Sequence, residues 1–129
     1  MTVQDLTRES NVLNGYGDDV IDINEMREHS AHRNGIFLVA CDGEEIVGFV
    51  FGEKLVAAWV LASYFVIRSD YKGTDAYIKL GRAFLDRAKE LGGGHVFLYA
   101  DAARSKLINF YERFGFVNTG THVELIKEI

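Results

Sequence analysis

The chain has 129 residues, 48% hydrophobic and 26% charged, which is enough apolar material for the core of one globular domain spanning residues 1–129. Its net charge of −5 and isoelectric point near 5.3 argue against a nucleic-acid-binding surface, which needs a basic face. The lone cysteine, Cys41, excludes an internal disulfide and a thiolate zinc site and fits a reducing compartment. Because no charged-then-apolar segment opens the chain, we expect a cytoplasmic protein.

Residues 18–33 have the pattern of a helix, with Asp18 or Asp19 able to cap its start. The acidic side chains of this segment form either a solvated face or an acidic lip that attracts an amine. His29 and His32 are spaced i, i+3 and could meet a metal, but without a third ligand nearby a solvated helix end is the plainer interpretation. The acids are Asp18, Asp19, Asp22, Glu25 and Glu28.

A β-hairpin is predicted next, with one apolar strand at residues 36–41 and its return at residues 45–52. Asp42-Gly43 between them is the strongest hairpin signal in the chain, because both central positions of a type I′ turn need a positive φ. Gly48 inside the return strand indicates a β-bulge or a closely approaching neighbour.

The longest apolar run, Leu55 to Ile67, is interrupted only by Ser63 and is shorter than the roughly 18 residues that span a bilayer. Its β-branched and aromatic content predicts a central strand over 56–67, covered on both faces. After a glycine-bearing turn, residues 75–91 change to the helical period. A strand followed by a glycine-bearing turn and a helix is either an ordinary connection or an anion-binding site, in which the start of the helix presents backbone N–H groups. The helix has one apolar stripe, formed by Tyr77, Leu80, Phe84, Ala88 and Leu91.

A crossover connection follows from the next two segments. Gly92-Gly93-Gly94 supplies a helix stop with freedom in φ, and residues 95–100 have the composition of a strand. Because this strand follows 56–67 through a helix, we expect the two to pair in parallel with a right-handed crossover.

The chain closes with one helix and a second hairpin. Asp101 could cap a helix over 102–114, which Gly115 ends, and strands are predicted at 116–118 and 121–126. The expected fold class is therefore α/β (α+β): a mixed sheet of about six strands with a central β-α-β crossover and helices on both faces.

Three motifs and the order of elements carry a resemblance to a known family. The strands 37–40 and 46–49 match a hairpin with an inner glycine. Residues 65–73 are similar to a strand end and loop written V-x-P-x-Y-R-G, and residues 109–116 are similar to the helix signature (F/L)-Y-x-x-x-G-F. In this order, and with a two-strand ending, the chain resembles the GNAT superfamily of N-acetyltransferases over about residues 36–126.

The resemblance implies an enzyme that transfers an acetyl group from acetyl-CoA to a small-molecule or peptide amine. It implies no nucleic-acid or membrane partner, and it is compatible with a homodimer. By similarity, Tyr111 protonates the leaving thiolate; the alternative is a tyrosine that merely packs beside Phe110 and Phe114. Backbone groups of Phe65 and Ile67 are implied to hold the pantetheine arm. The implied cofactor-binding residues are Phe65, Val66, Ile67, Lys72, Gly73, Thr74, Ala76 and Asn109, with no metal ligand.

The sequence also departs from the family pattern at the phosphate loop, which usually reads Q/R-x-x-G-x-G/A. Counting from Lys72, the later small residues are replaced by Asp75 and Tyr77, and the proline usual near Ser69 is missing. Asp75 brings a carboxylate to where phosphates would lie and could itself cap the helix. Lys72, Lys79 and Arg82 could compensate its charge but not the lost space.

The general base is not identified by the sequence. No acid or histidine lies within 57–67, and Asp101, His122, Glu124 or ordered water remain as alternatives. Two functions therefore stay open: an acetyltransferase with a degenerate phosphate loop, or a catalytically weak or inactive GNAT-fold protein that serves as an acyl-CoA-binding or regulatory module.

Overall fold

The computed structural model describes residue 28, residues 33–121 and residues 123–129. Of the helix predicted over 18–33, only its residue 28, which is helical and exposed, and its last residue, which lies in a turn, are included. The histidine pair and the rest of the acidic lip predicted there lie outside the described residues. In the described part of the chain, no helix combines the length and the apolar character needed to cross a membrane.

The chain divides into two compact units, Met1–Leu98 and Tyr99–Ile129. The first contains a four-stranded mixed sheet in the order β1-β2-β3-β4. Neighbouring strands are antiparallel except for β3 and β4, which are parallel. This confirms the predicted mixed sheet and a central strand paired in parallel through a helical crossover, but the described residues form four strands rather than about six. The strand predicted over 95–100 ends at Phe97. The strands are β1 (Gly35–Asp42), β2 (Glu45–Lys54), β3 (Trp59–Ile67) and β4 (His95–Phe97), and the crossover helix is α1 (Ala76–Glu90).

The β1–β2 hairpin forms as predicted, but its turn is of a different type. Gly43 has φ +62, whereas Glu44 is not among the described residues with a positive φ. The central positions of the turn are Gly43 and Glu44, one residue later than the predicted Asp42-Gly43. Because only one of them has a positive φ, the turn is not of type I′. Both expectations for Gly48 are confirmed, since the register shifts beside it and a Cβ there would lie 2.8 Å from the Val66 carbonyl oxygen.

The prediction of a strand from residue 56 is wrong at its start. Val56–Ala58 form a 3₁₀ turn, in which Ala57 has φ 58 and Ala58 has φ 62. The turn is closed by the Leu55 N–H, which donates to the Trp59 carbonyl oxygen at 2.7 Å. Apolar composition favoured a strand here, but the chain must reverse between β2 and β3, and a left-handed backbone makes that reversal possible at some steric cost.

The apolar stripe of α1 packs on one face of the sheet, as predicted. Leu80, Phe84 and Ala88 are buried, and Tyr77 and Leu91 are half-buried. Each large apolar side chain buried in this way contributes about 1.5–3 kcal/mol relative to exposure. The sheet residues that share this core are Ile36, Val50, Val60 and Ile67. This packing fixes α1 against the sheet and so fixes where the helix starts.

Helix α1 ends in a Schellman motif. The Gly93 N–H donates to the Ala88 carbonyl oxygen at 2.9 Å, and the Gly92 N–H donates to the Lys89 carbonyl oxygen at 2.9 Å. Gly92 has φ +86, which only glycine adopts readily. The glycine run therefore stops the helix as the sequence indicated.

In the second unit, helix α2 (Ser105–Arg113) begins later than predicted. Asp101 does not cap it. Instead, the Asp101 carboxylate accepts the Ala103 N–H at 2.9 Å and its carbonyl oxygen accepts the Arg104 N–H at 2.9 Å, which makes a turn before the helix. Asx turns of this kind compete with helix for the same backbone groups, which is why the start moves.

The closing hairpin is not formed in the described residues. Positions 116–118, 121 and 123–126 carry no strand, although Gly120 has the positive φ of a turn. The exposed side chains here include Val117, Val123 and Leu125. Alternating apolar residues predict strands, but a two-stranded hairpin that packs on no sheet has only marginal stability. The unit that holds this segment contains no sheet in its described part.

Candidate active site

Strand β4 ends part-way along its parallel neighbour β3. The ladder consists of the pairs Trp59–His95, Val60–Val96 and Leu61–Phe97, which include the whole of β4, while β3 continues to Ile67. The pairing with β2 skips Ser63, which is a β-bulge at the point where the ladder with β4 has ended. In the described residues no strand pairs with β3 beyond Leu61 on this side, and the divergence of the two strands expected from the sequence stays a prediction. We refer to the open side of β3 beyond Leu61 as the gap.

The hydrogen bonds of β2 decide which backbone groups of β3 face the gap. The Arg68 N–H donates to the Val47 carbonyl oxygen at 2.8 Å, so residues in phase with Arg68, such as Val66, direct their backbone groups toward β2. Phe65 and Ile67 are out of phase and direct theirs toward the gap. Their side chains lie on the α1 face, where Phe65 stacks on Tyr77 with ring centroids 5.3 Å apart.

The loop between β3 and α1 runs from Arg68 to Asp75 and contains a 3₁₀ turn, Ser69–Tyr71. Gly73 has φ +86, and no atom lies within 4 Å of where its Cβ would be. The Thr74 hydroxyl donates to the Tyr71 carbonyl oxygen at 2.6 Å and accepts the Ala76 N–H at 3.4 Å. The loop therefore has open space beside Gly73, next to the start of α1.

Asp75 occupies the N-cap position of α1, but its side chain makes no capping hydrogen bond. The idea that it caps the helix is therefore wrong. Its carboxylate instead pairs with the Lys79 ammonium at 3.1 Å, and both side chains are more than 70% exposed. An exposed pair of this kind contributes little to stability, but it offsets the charge of Asp75 at the helix start.

Arg68 joins this loop to the β1–β2 hairpin. Its guanidinium makes a bidentate contact with the Asp70 carboxylate at 2.6 and 3.0 Å and a further bond to Glu45 at 2.8 Å. It also lies over the Tyr71 ring, 4.8 Å from the centroid, and the Tyr71 hydroxyl donates to the Asp42 carboxylate. We call these five residues the loop–hairpin network.

The network shifts the pKa values of its members in the directions expected from hydrogen bonding. The Arg68 guanidinium lowers the pKa of the Glu45 and Asp70 carboxyls, chiefly by donating to their charged forms. The pKa of Arg68 is raised in return, first by Asp70 and then by Glu45. The pKa of Tyr71 is raised because its hydroxyl donates to Asp42.

Tyr111 lies near the end of α2, in a second Schellman motif. The Phe116 N–H donates to the Tyr111 carbonyl oxygen at 3.0 Å, the Gly115 N–H donates to Glu112 at 3.1 Å, and Gly115 has φ +102. The Phe116 ring meets the Tyr111 ring edge-on with centroids 5.6 Å apart, which is the apolar contact that accompanies such motifs. The signature Y-x-x-x-G-F is therefore a helix end that holds the tyrosine ring.

The predicted site residues fall into two groups. Phe65, Val66 and Ile67 end β3, and Lys72, Gly73, Thr74 and Ala76 follow in the loop and first turn of α1. Asn109, which is exposed, and Tyr111, which is half-buried, belong to α2 in the second unit. Among the proposed bases, Asp101 is held in its turn, Glu124 is exposed, and His122 lies outside the described residues.

Sequence reasoning missed the loop–hairpin network. From the sequence, Arg68 and Asp70 are only members of the segment 65–73, which is similar to a strand end and loop. Their two-residue spacing could have suggested an ion pair, but the partners Asp42 and Glu45 lie more than twenty positions away, as the separations of 29 and 23 residues show. No local signal marks such a contact.

The mixed sheet and the parallel β-α-β crossover agree with the architecture that the resemblance to the GNAT superfamily implies. A family model described as the acetyltransferase (GNAT) family matches residues 3–116, and the chain belongs to this family. Enzymes of the family use acetyl-CoA as the acyl donor. A comparison with curated protein sequences gave no match.

Solved structures share the fold across nearly the whole chain. A transcriptional regulator from Bacillus halodurans C-125 is 24% identical with a TM-score of 0.74, covering 100% of this chain and 96% of that one. An aminoglycoside acetyltransferase from an uncultured soil metagenomic sample, in complex with sisomicin, is 16% identical with a TM-score of 0.80, covering 98% and 87%. A putative streptothricin acetyltransferase from Bacillus anthracis str. Ames, in complex with acetyl coenzyme A, is 20% identical with a TM-score of 0.68, covering 77% and 54%.

Proposed function

We propose that this protein is an acetyl-CoA-dependent N-acetyltransferase that acts on a small-molecule or peptide amine, and that residues 1–129 form a single acetyltransferase domain. The observation that carries the proposal is the gap beside β3. Phe65 and Ile67 direct backbone groups into it, and it lies next to a loop with open space at Gly73. Unpaired backbone groups at a sheet edge bind an extended ligand arm as a further strand would.

The residues present fit an acyl-CoA, because the loop has open space beside Gly73 and an exposed cation at Lys72, next to the start of α1. The first N–H groups of a helix have no intrahelical acceptor, and the helix dipole favours an anion there. We propose that Lys72, Gly73, Thr74 and Ala76 hold the phosphates, with Lys72, an exposed cation, adding charge. Asp75 opposes this binding, and its pairing with Lys79 reduces the opposition.

Acetyl-CoA supplies a thioester whose carbonyl carbon is open to attack by an amine. We propose that Tyr111 protonates the thiolate as it leaves, since a phenol with an ordinary pKa near 10 is a suitable donor at neutral pH. Phe116 and Gly115 hold the Tyr111 ring through the motif at the end of α2. The amine must attack in its neutral form, and it can lose its proton to water, so the proposal assigns no side chain as general base.

The acceptor is proposed to be a cationic amine. The chain carries a net charge of −5, and an acidic protein raises the local concentration of cations at its surface. Two proteins of similar fold are named as acetyltransferases of aminoglycosides and of streptothricin, and such polyamines therefore belong in the first panel of acceptors to be tested.

A thiol-release assay with acetyl-CoA and a panel of amines tests the proposal. The panel should contain aminoglycosides, streptothricin, short peptides with a free N-terminus and simple polyamines. We expect turnover with at least one class, and a higher melting temperature with acetyl-CoA because binding to the native state stabilises it. A melting shift without turnover on any amine would favour the acyl-CoA-binding or regulatory module instead. No shift and no turnover would refute both.

A further inference from the structure

The loop between β3 and α1 must keep one conformation to present its backbone groups to a ligand, yet it lacks the residue that most often fixes a turn. The whole chain contains no proline. A proline ring would fix φ near −65° and so reduce the conformations open to the loop. In place of a proline, side-chain contacts hold the first turn of the loop.

Arg68 spans the turn that begins at Ser69. Its guanidinium binds both oxygens of Asp70, two residues later, and its plane lies over the Tyr71 ring. The backbone adds three bonds along the same stretch: Tyr71 N–H to Arg68 at 2.9 Å, Lys72 N–H to Ser69 at 3.4 Å and Thr74 N–H to Tyr71 at 3.2 Å. The contact between the Arg68 and Asp70 side chains therefore closes over Ser69, the residue between them.

The same group ties the loop to a distant part of the sheet. Arg68 reaches Glu45 in the first position of β2, and Tyr71 reaches Asp42 in the last position of β1. The tip of the hairpin thus contacts the loop twice, through two separate side chains. A loop anchored at two points on a paired hairpin cannot move without breaking both contacts.

The Arg68 ion pairs differ from the other ion pairs of the described residues in how deeply the cation is buried. The Arg68 side chain is 15% exposed, whereas the cations of the Lys79–Asp75 and Arg87–Glu90 pairs are 77% and 45% exposed. A planar guanidinium that is mostly removed from water and bonded at three nitrogens has little freedom left, while exposed pairs on a helix hold their neighbours weakly.

We propose that Arg68 is a positioning residue for acetyl-CoA binding: it locks the loop to the β1–β2 hairpin and so does the work of a turn proline. The inference rests on the proposed function for its ligand. It assigns Arg68 no contact with the phosphates, because Asp70 and Glu45 already occupy three of its nitrogens. The hairpin thereby contributes to donor binding through the loop that it holds.

The backbone already suits the replacement. Arg68 has φ −55 and ψ 139, the extended conformation that the residue before a proline requires, and Ser69 opens a 3₁₀ turn, a position that proline favours. Ser69→Pro should therefore be able to take over the role of Arg68. Arg87→Met, which removes an arginine from an exposed ion pair on α1, is the matched control.

The test compares the unaltered protein with Arg68→Met, Arg68→Lys, Arg68→Met/Ser69→Pro, Ser69→Pro and Arg87→Met. Calorimetry gives the Kd for CoA, steady-state kinetics give KM and kcat, and hydrogen exchange reports the Tyr71, Lys72 and Thr74 amides without any ligand. We expect Arg68→Met to raise Kd and KM for the CoA donor about tenfold with kcat little changed, and to speed exchange at these amides about tenfold. Arg87→Met should change none of these quantities.

The remaining variants separate positioning from charge. Arg68→Lys keeps the charge but loses the planar fork, so a positioning role predicts weak binding, and a simple charge role predicts normal binding. Ser69→Pro alone is the reference for the double variant. Arg68→Met/Ser69→Pro should have the same affinity and the same slow exchange as Ser69→Pro, although the charge of Arg68 is not restored. Normal affinity in Arg68→Lys, or affinity in the double variant that is weaker than in Ser69→Pro, would overturn the inference. If the unaltered protein does not bind CoA, the proposed function fails, while unchanged exchange in Arg68→Met would separately refute the lock.

Discussion

The two ends of α1 are held by different kinds of contact. At the C-terminal end, hydrogen bonds close within six residues, Gly92 takes a positive φ, and Gly93 packs against Val60. At the N-terminal end there is no side-chain cap, and the preceding loop is anchored through Arg68 to a hairpin far away in sequence. The first arrangement is local and indifferent to charge, whereas the second is long-range and depends on it.

This contrast separates stability from function within one helix. The Schellman end of α1 satisfies the carbonyl groups of Ala88 and Lys89 within the chain itself. The start of α1 leaves the capping position of Asp75 without a side-chain bond, and the open space beside Gly73 adjoins it. The N-terminal end of α1, which should bind the phosphates, is thus held by the side chains of the loop–hairpin network. These side chains do not cover the start of the helix.

The largest effect is expected at Tyr111, where α2 repeats the local type of helix end. Tyr111→Phe keeps the ring and its contact with Phe116, so the melting temperature and the affinity for CoA should change little. Turnover should fall by roughly 10²–10⁴, the usual contribution of a positioned acid. Thiol release and thermal melting measure the two effects, with Tyr99→Phe, at an exposed tyrosine, as control. Turnover that survives while stability drops would make the hydroxyl a structural group.

A glycine pair at the other end of α1 tests the local arrangement. A Cβ at Gly93 would lie 2.6 Å from Val60 Cγ2 and 2.8 Å from the Ala88 carbonyl oxygen, whereas one at Gly94 would meet nothing closer than 3.7 Å. Gly93→Ala should therefore lower the free energy of unfolding by about 1–3 kcal/mol, and Gly94→Ala should be tolerated. Denaturant unfolding gives both values. Equal effects of the two substitutions would contradict this account of the helix end.

At the start of the helix, Asp75→Gly should tighten CoA binding by roughly two- to fivefold, because it removes a negative charge and frees Lys79. Asp75→Asn removes the charge but keeps the size, so the difference between the two variants measures the effect of space. Calorimetry with CoA is the measurement. Weaker binding in both variants would mean that the carboxylate belongs to the site.

The smallest expected effect is a pH dependence of the free energy of unfolding, and it is confined to the N-terminal end of α1 with its loop–hairpin network. Because the folded pKa values of Glu45 and Asp70 are lowered, these groups add stability above their ordinary pKa near 4, and this stability is lost as the pH falls through the folded values. The stability difference between the unaltered protein and Arg68→Met should be constant above about pH 5 and shrink in more acidic solution. Urea unfolding at a series of pH values measures it. A difference that stays constant down to pH 2 would exclude the ion pairs as its source.

The same contrast explains what could be predicted from the sequence. The hairpin, α1 and its glycine stop, and the signature around Tyr111 are encoded by neighbouring residues, and all of them are present. The parallel pairing of β3 and β4 followed from a general rule of handedness, and it is also confirmed.

The errors have physical causes that no local pattern contains. Apolar residues at 56–58 were read as strand, but chain reversal imposed a left-handed turn on them. The strands expected after Phe116 need a sheet to cover, and their sequence cannot supply one. The loop–hairpin network joins residues more than twenty positions apart, and the roles of Tyr111, Asn109 and the loop residues stay predictions until they are measured.

The shortness of the ladder between β3 and β4 has a mechanical consequence. Only the pairs from Trp59–His95 to Leu61–Phe97 join the two strands, and the rings of Trp59 and His95 stack at the closed end with centroids 4.7 Å apart. A ladder with so few hydrogen bonds offers little resistance to bending of one strand against the other. The stacked rings and the buried Val60, in contrast, resist separation of the two strands. The two strands are therefore fastened at the Trp59–His95 end, and the ladder itself does not fix the width of the gap beyond Leu61–Phe97.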